Sequence, residues 1–151
     1  IISTAFFVSY LYYITYKFGV IPSISDSVYR TKNELLFFLF TLGVGAPIGY
    51  IGYSENVWEL LLTGVFLTYV GISPKFKKDK KSIEDEVHSI GAIGAIGISL
   101  SCLAFRYDMW HPLATLVVFF TTMYIAKIRN LVYWNEIMAF ILILIGLYFR
   151  K

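Results

Sequence analysis

The residues able to do chemistry are few, and they fall into two sets. The first begins with the string Ile21-Pro22-Ser23-Ile24-Ser25-Asp26-Ser27, which offers two hydroxyls and a carboxylate at Ser23, Ser25 and Asp26. His88 opens a long apolar run, and Glu136 follows Tyr133, Trp134 and Asn135 at the start of another. If these groups converge, Asp26 or Glu136 could orient the His88 ring by hydrogen bonding to one of its nitrogens. The serines could then bind an anionic headgroup or a water, with Arg30 or Arg129 as an anion's partner. The alternative is that the Ser/Asp string forms a turn or caps the following helix, leaving His88 bonded to a carbonyl at an interface.

The second set is Glu55 and Glu59, then Asp108 and His111 beside Arg106, Tyr107 and Trp110. Glu55 and Glu59 are four residues apart and are expected to share a helical face. Trp58, Tyr107 and Trp110 fit an aromatic belt at a membrane surface, so the alternative to an acidic site is ordinary anchoring. His88 and His111 are the only histidines, and one apolar run separates them. At about 1.5 Å per helical residue they lie roughly 30 Å apart, too far to share an ion, and one His with carboxylates makes a weak zinc site. No metal and no cofactor is expected. The sequence also has no G-x-S-x-G elbow, H-E-x-x-H motif or phosphate-binding glycine loop. Catalytic residues are therefore left unassigned.

These groups must be held by something, and composition says what. Of the 151 residues 58% are hydrophobic and 15% charged, where a soluble domain is about half apolar and a quarter charged. A short chain has proportionally much surface to cover with polar groups, and this one lacks them. Lipid is the expected solvent. The fold class is all-α, a single polytopic membrane bundle of about six transmembrane helices. The spans are read at residues 1–16, 35–53, 57–72, 87–105, 112–126 and 131–149, against the roughly 20 apolar residues that a crossing takes. The first run has neither a charged n-region nor a small-residue cleavage site, so it is expected to be a span, and the chain is expected to start upstream of Ile1. The lone Cys102 excludes an internal disulfide.

Lys and Arg gather after the first, third and fifth spans. Those loops hold Lys17, Arg30, Lys32, Lys75, Lys77, Lys78, Lys80, Lys81, Lys127 and Arg129, against Arg106, Arg150 and Lys151 elsewhere. The positive-inside rule then predicts both termini non-cytoplasmic, and a prokaryotic inner (plasma) membrane is the expected location. Ser82 with Asp85 fits an N-cap for a helix beginning before the membrane. Within the fourth span Gly91 and Ala95 fit small-xxx-small packing, either at the centre of the bundle or as a homo-oligomer contact. Gly43, Gly45, Pro47 and Gly49 interrupt the second span, as in the broken helices of transporters. Membrane lipids are the expected partners. No basic face large enough to track nucleic acid exists outside one loop.

The Pro22–Ser27 string after a first span, with His88-Ser89-Ile90-Gly91-Ala92 later, resembles a group of small uncharacterised prokaryotic and phage membrane proteins. More distantly it is similar to the DUF998 and Frag1/DRAM-like six-helix families, which have been related to the CREST superfamily of metal-dependent membrane hydrolases. That resemblance implies Ser25, Asp26 and His88 as site residues, although the further histidines of a zinc site are missing. Three functions follow as expectations. The first is a non-enzymatic protein binding a lipid headgroup or small ligand in a cytoplasm-side polar pocket. The others are a CREST-like hydrolase, and an oligomeric channel, transporter or holin-like pore.

Overall fold

The computed structural model describes residues 1–73 and 83–150, with the side chains of 83–87 and 89 excepted. The lysine-rich stretch from Lys75 to Lys81 and the Ser82 cap fall outside this range. All secondary structure among the described residues is helical: α1 (Ile2–Phe18), a short α2 (Ser27–Thr31), α3 (Glu34–Ser54), α4 (Trp58–Ile72), α5 (Ile83–Ser101), α6 (His111–Ile125) and α7 (Leu131–Phe149). The six long helices fall on the six apolar segments of the sequence. Of these, α3 and α7 are long and apolar enough to cross a membrane, while α4, Ile90–Arg106 and α6 are shorter apolar helices.

Two ends of the bundle organise the rest. At the loop end lie residues 19–33 and 126–130. At the terminal end lie residues 55–57 and 107–110 together with Ile1 and Arg150. The cap of α3 is Asn33, whose side chain accepts from the Leu36 amide at 3.0 Å, so the serine string does not serve this purpose. It forms a turn leading into α2 instead, with Asp26 donating its amide to Ser23 Oγ at 3.1 Å.

The glycines of the second span do not break it. α3 runs unbroken through Pro47, and its glycine face lets α4 approach backbone to backbone. A Cβ on Gly64 would stand 2.8 Å from the Gly45 carbonyl oxygen and 3.0 Å from Gly49 Cα, and one on Gly52 would meet the Leu61 amide nitrogen. The small residues are there for packing. A tight turn follows, with Asn56 at φ 54° and the Val57 amide returning to the Gly52 carbonyl at 2.8 Å.

The Gly91/Ala95 face is also filled from within the chain. A Cβ on Gly91 would lie 2.8 Å from Val70 Cγ2 of α4, and Ala95 is buried. The uncovered face of α5 is instead the one bearing Ile90 and Ile93, which are 64% and 72% exposed. After α5 the chain widens into a π-helical turn, Cys102–Arg106, and α6 follows with Pro112 in its first turn as its one buried residue.

Candidate functional site

The segment after α1 does not hang free. Ile21, Ile24, Ser27 and Val28 are all buried, and they seat the segment on α1 and α7. Tyr10 Oη and Ser27 Oγ pair at 2.5 Å, and the Tyr133 amide donates to the Pro22 carbonyl at 3.1 Å. Asn130 Nδ2 donates to the Val20 carbonyl at 3.3 Å, and Thr15 Oγ1 pairs with Tyr133 Oη at 2.8 Å. The deepest tie is the Ile24 amide, which donates to Glu136 Oε2 at 2.5 Å. An extended segment has no helix to satisfy its amides, and here a carboxylate from α7 satisfies one of them.

Directly beneath this lid lies a cavity enclosed by α3, α4, α5 and α7, with a free volume of about 40 Å³, room for about two or three waters. Ser25, His88 and Glu136 line its loop end, while Thr63 and Ser99 line its far end and Thr41 stands between. His88 and Ser99 are eleven residues apart on α5, so the polar groups lining this slot are spread over about 16 Å of that helix. Its walls are otherwise apolar, including Phe40, Leu67 and Phe140.

The polar groups are individually anchored. His88 Nδ1 lies 3.3 Å from Ser73 Oγ, which itself donates to the Val70 carbonyl at 2.8 Å. Ser25 Oγ pairs with Ser23 Oγ at 2.9 Å. Thr63 Oγ1 and Ser99 Oγ lie 3.0 Å apart across the α4–α5 contact. Each also reaches a carbonyl of its own helix, Glu59 at 2.9 Å and Ala95 at 2.7 Å.

Of the residues expected from sequence, Ser25, His88 and Glu136 share this cavity, and Ser23 supports it from the lid. Asp26 is half-buried at the start of α2 and does not line the cavity. Arg30 and Arg129 are exposed, and no Lys or Arg is among the described lining residues. Ser73, Thr41, Thr63 and Ser99 are additions that sequence reasoning missed. The signal available for them is a hydroxyl inside each of three apolar spans and one directly after the middle span of the three. Such residues also occur as neutral helix positions bonded back one turn.

At the terminal end Glu55 and Glu59 do not share a helical face, because the turn at Asn56 separates them. Glu55 caps α3 and Glu59 sits in the first turn of α4. Glu55 is held by Arg150, through Nη2 to Oε1 at 2.5 Å and Nε to Oε2 at 3.2 Å, and Tyr107 Oη donates to Oε2 at 3.3 Å. The Arg150 guanidinium keeps the Glu55 carboxyl below its ordinary value of 4.5. Glu59 Oε2 lies 4.0 Å from Arg106 Nη1 and is a buried oxygen with no hydrogen-bond partner among the described residues. Asp108 and His111 are exposed.

A metal of the hydrolase type needs at least three ligands from the protein. Among the described residues no three His, Cys, Asp or Glu side chains are placed to hold one, and the cavity contributes one imidazole and one carboxylate. The residues present do not fit such a centre. No family model, curated protein or solved structure matches the chain.

Proposed function

We propose that this chain crosses the membrane six times and holds a small hydrogen-bonding ligand, neutral or cationic, at the loop end of the cavity. The crossing is supported by what the helices leave outside. Val117, Val118, Phe120, Tyr124 and Ile125 of α6 are all exposed, as are Ile141, Ile145, Tyr148 and Phe149 of α7 and Leu61, Val65 and Tyr69 of α4. Contiguous apolar surface on this scale is tolerated in lipid and costly in water. By the lysine and arginine count, the loop end is the cytoplasmic one.

The observation that carries the ligand reading is the meeting of Ser25, His88 and Glu136, from three separate elements, on one cavity. An acceptor carboxylate without a lining cation among the described residues favours a donor or a positive charge over an anion. Size argues the same way, since about 40 Å³ is too little for a phosphodiester headgroup and enough for a group of a few heavy atoms. Such a group could be free or the amine tip of a lipid. The arrangement, a Ser/Asp element after the first helix and a His opening a later one, is in keeping with the resemblance to the DUF998 and Frag1/DRAM-like bundles.

The test is thermal unfolding of the purified protein titrated with ammonium, ethanolamine or acetate, since a ligand that binds the native state raises its stability. The two cations are expected to raise the midpoint and acetate is not, and the gain is expected to disappear in Glu136→Gln and His88→Ala. Acetate acting as well as ammonium, or both variants responding like the parent, would overturn the reading.

A further inference from the structure

The slot does not stop at its ligand end, and the groups at its far end are arranged as a relay. Thr63 and Ser99 are 1% and 0% exposed. Their two hydroxyls have two protons between them but three acceptor contacts: the Glu59 carbonyl, the Ala95 carbonyl and each other. Only two of the three can be donated to at once. With both protons on the carbonyls the Oγ–Oγ contact carries none, and turning either Oγ–H onto its neighbour makes that neighbour the acceptor, so the pair can pass a hydrogen bond in either direction. That is the property a hydroxyl needs in order to take a proton on one side and release one on the other.

One carboxylate stands a helical turn from this pair, and a second lies at the opposite end of the slot. One helical turn beyond Thr63, toward the terminal end, is Glu59, whose buried Oε2 has no hydrogen-bond partner among the described residues. Its one charged neighbour in reach among those residues is Arg106, 4.0 Å away. In the other direction the slot leads past Thr41 to His88, Glu136 and Ser25. Room for about two or three waters lets hydrogen-bonded water bridge the gaps between fixed groups. Ionisable side chains within spans, facing the bundle interior, are the usual components of proton relays.

We infer that the bundle conducts protons between its two ends, along Glu136 and His88, slot water, the Thr63–Ser99 pair and Glu59. No bond other than O–H and N–H bonds is made or broken. Each group accepts one proton and releases one, so the chain returns to its starting state after a second set of hydroxyl rotations. The inference rests on the membrane-spanning reading above and is independent of which small ligand binds.

The test is proton flux into liposomes that contain the full chain and a trapped pH dye, driven by a potassium diffusion potential. Flux is expected well above that of protein-free liposomes. It should fall to near the protein-free level in Thr63→Val/Ser99→Ala and in Glu136→Gln, and it should survive in the hydroxyl-preserving Thr63→Ser and in the lipid-facing Val118→Ala. Embedded parent protein with no flux above the protein-free control, or a double variant as conductive as the parent, would overturn the inference. An alkaline carbonate wash separates the two ideas, because protein stripped from the vesicles would sink the membrane reading itself.

Discussion

The Ile24 backbone amide donates to the Glu136 carboxylate, 112 residues away in sequence, and this bond joins the lid to the helix that supplies the cavity's acid. The same carboxylate thus supports the lid and lines the cavity. Substitutions at Glu136 should separate those two roles. Glutamine keeps an acceptor for the amide, while alanine leaves a buried N–H without one, at a cost of about 1–3 kcal/mol. Denaturant or SDS unfolding is expected to rank the parent and Glu136→Gln close together and Glu136→Ala clearly below. Equal losses for the two variants would mean that the amide is satisfied some other way.

Much of this architecture is legible in the sequence, for a simple reason. Hydropathy alone marks where helices run, and polar residues near the ends of apolar runs can be sorted by depth. Sorting by depth groups Ser25, His88 and Glu136. Depth says nothing about azimuth, however, and Arg30, Arg129 and Asp26 share the depth without facing the slot. Thr63 and Ser99 give only an ambiguous signal, because a hydroxyl bonded back to its own helix is at home in any span. The expected Glu55–Glu59 face does not form because a helix start one residue later, at Trp58, and the left-handed Asn56 interrupt the spacing. The pairing of Glu55 with Arg150 depends on closure of the whole bundle, and local pattern carries no information about it.

The α3–α4 contact predicts a sharp contrast between glycines. Gly52→Ala places a methyl group against the Leu61 amide nitrogen, in backbone that cannot step aside without parting the helices. Overpacking of this kind costs about 1–3 kcal/mol. A methyl group at Gly97 would meet nothing within 4 Å, so Gly97→Ala is expected to be neutral or to stabilise by about 0.5–1 kcal/mol through helix propensity. Thermal unfolding should show a clear loss for the first variant and none for the second, and a destabilised Gly97→Ala would contradict the packing described.

The Glu55–Arg150 pair sets a pH dependence whose sign is fixed. Arg150 remains protonated throughout, and its hydrogen bonds hold the folded-state carboxyl of Glu55 below 4.5. The stabilisation is therefore complete above the ordinary carboxylate range and is lost as pH falls through the lowered value. The Glu55 side chain is 43% exposed, so solvent screening keeps the contribution within about 1 kcal/mol, and salt reduces it further. Stability measured from about pH 6 down to about pH 3 should decline less steeply in Glu55→Gln than in the parent. Identical slopes would remove the pair from the account of acid sensitivity.

The sparse burial of α6 has a consequence for the bilayer itself. With Pro112 as its one buried residue, this helix, on the six-span reading, takes its surroundings from acyl chains more than from the protein. Its fifteen residues reach only about 22 Å, short of the roughly 30 Å hydrocarbon thickness of a typical membrane. On the six-span reading, that mismatch is met by local thinning of the bilayer or by snorkelling of flanking residues such as Lys127. α6 would then be the element whose tilt follows membrane thickness, and through its contact with α7 it would transmit lipid composition to the helix that carries Glu136.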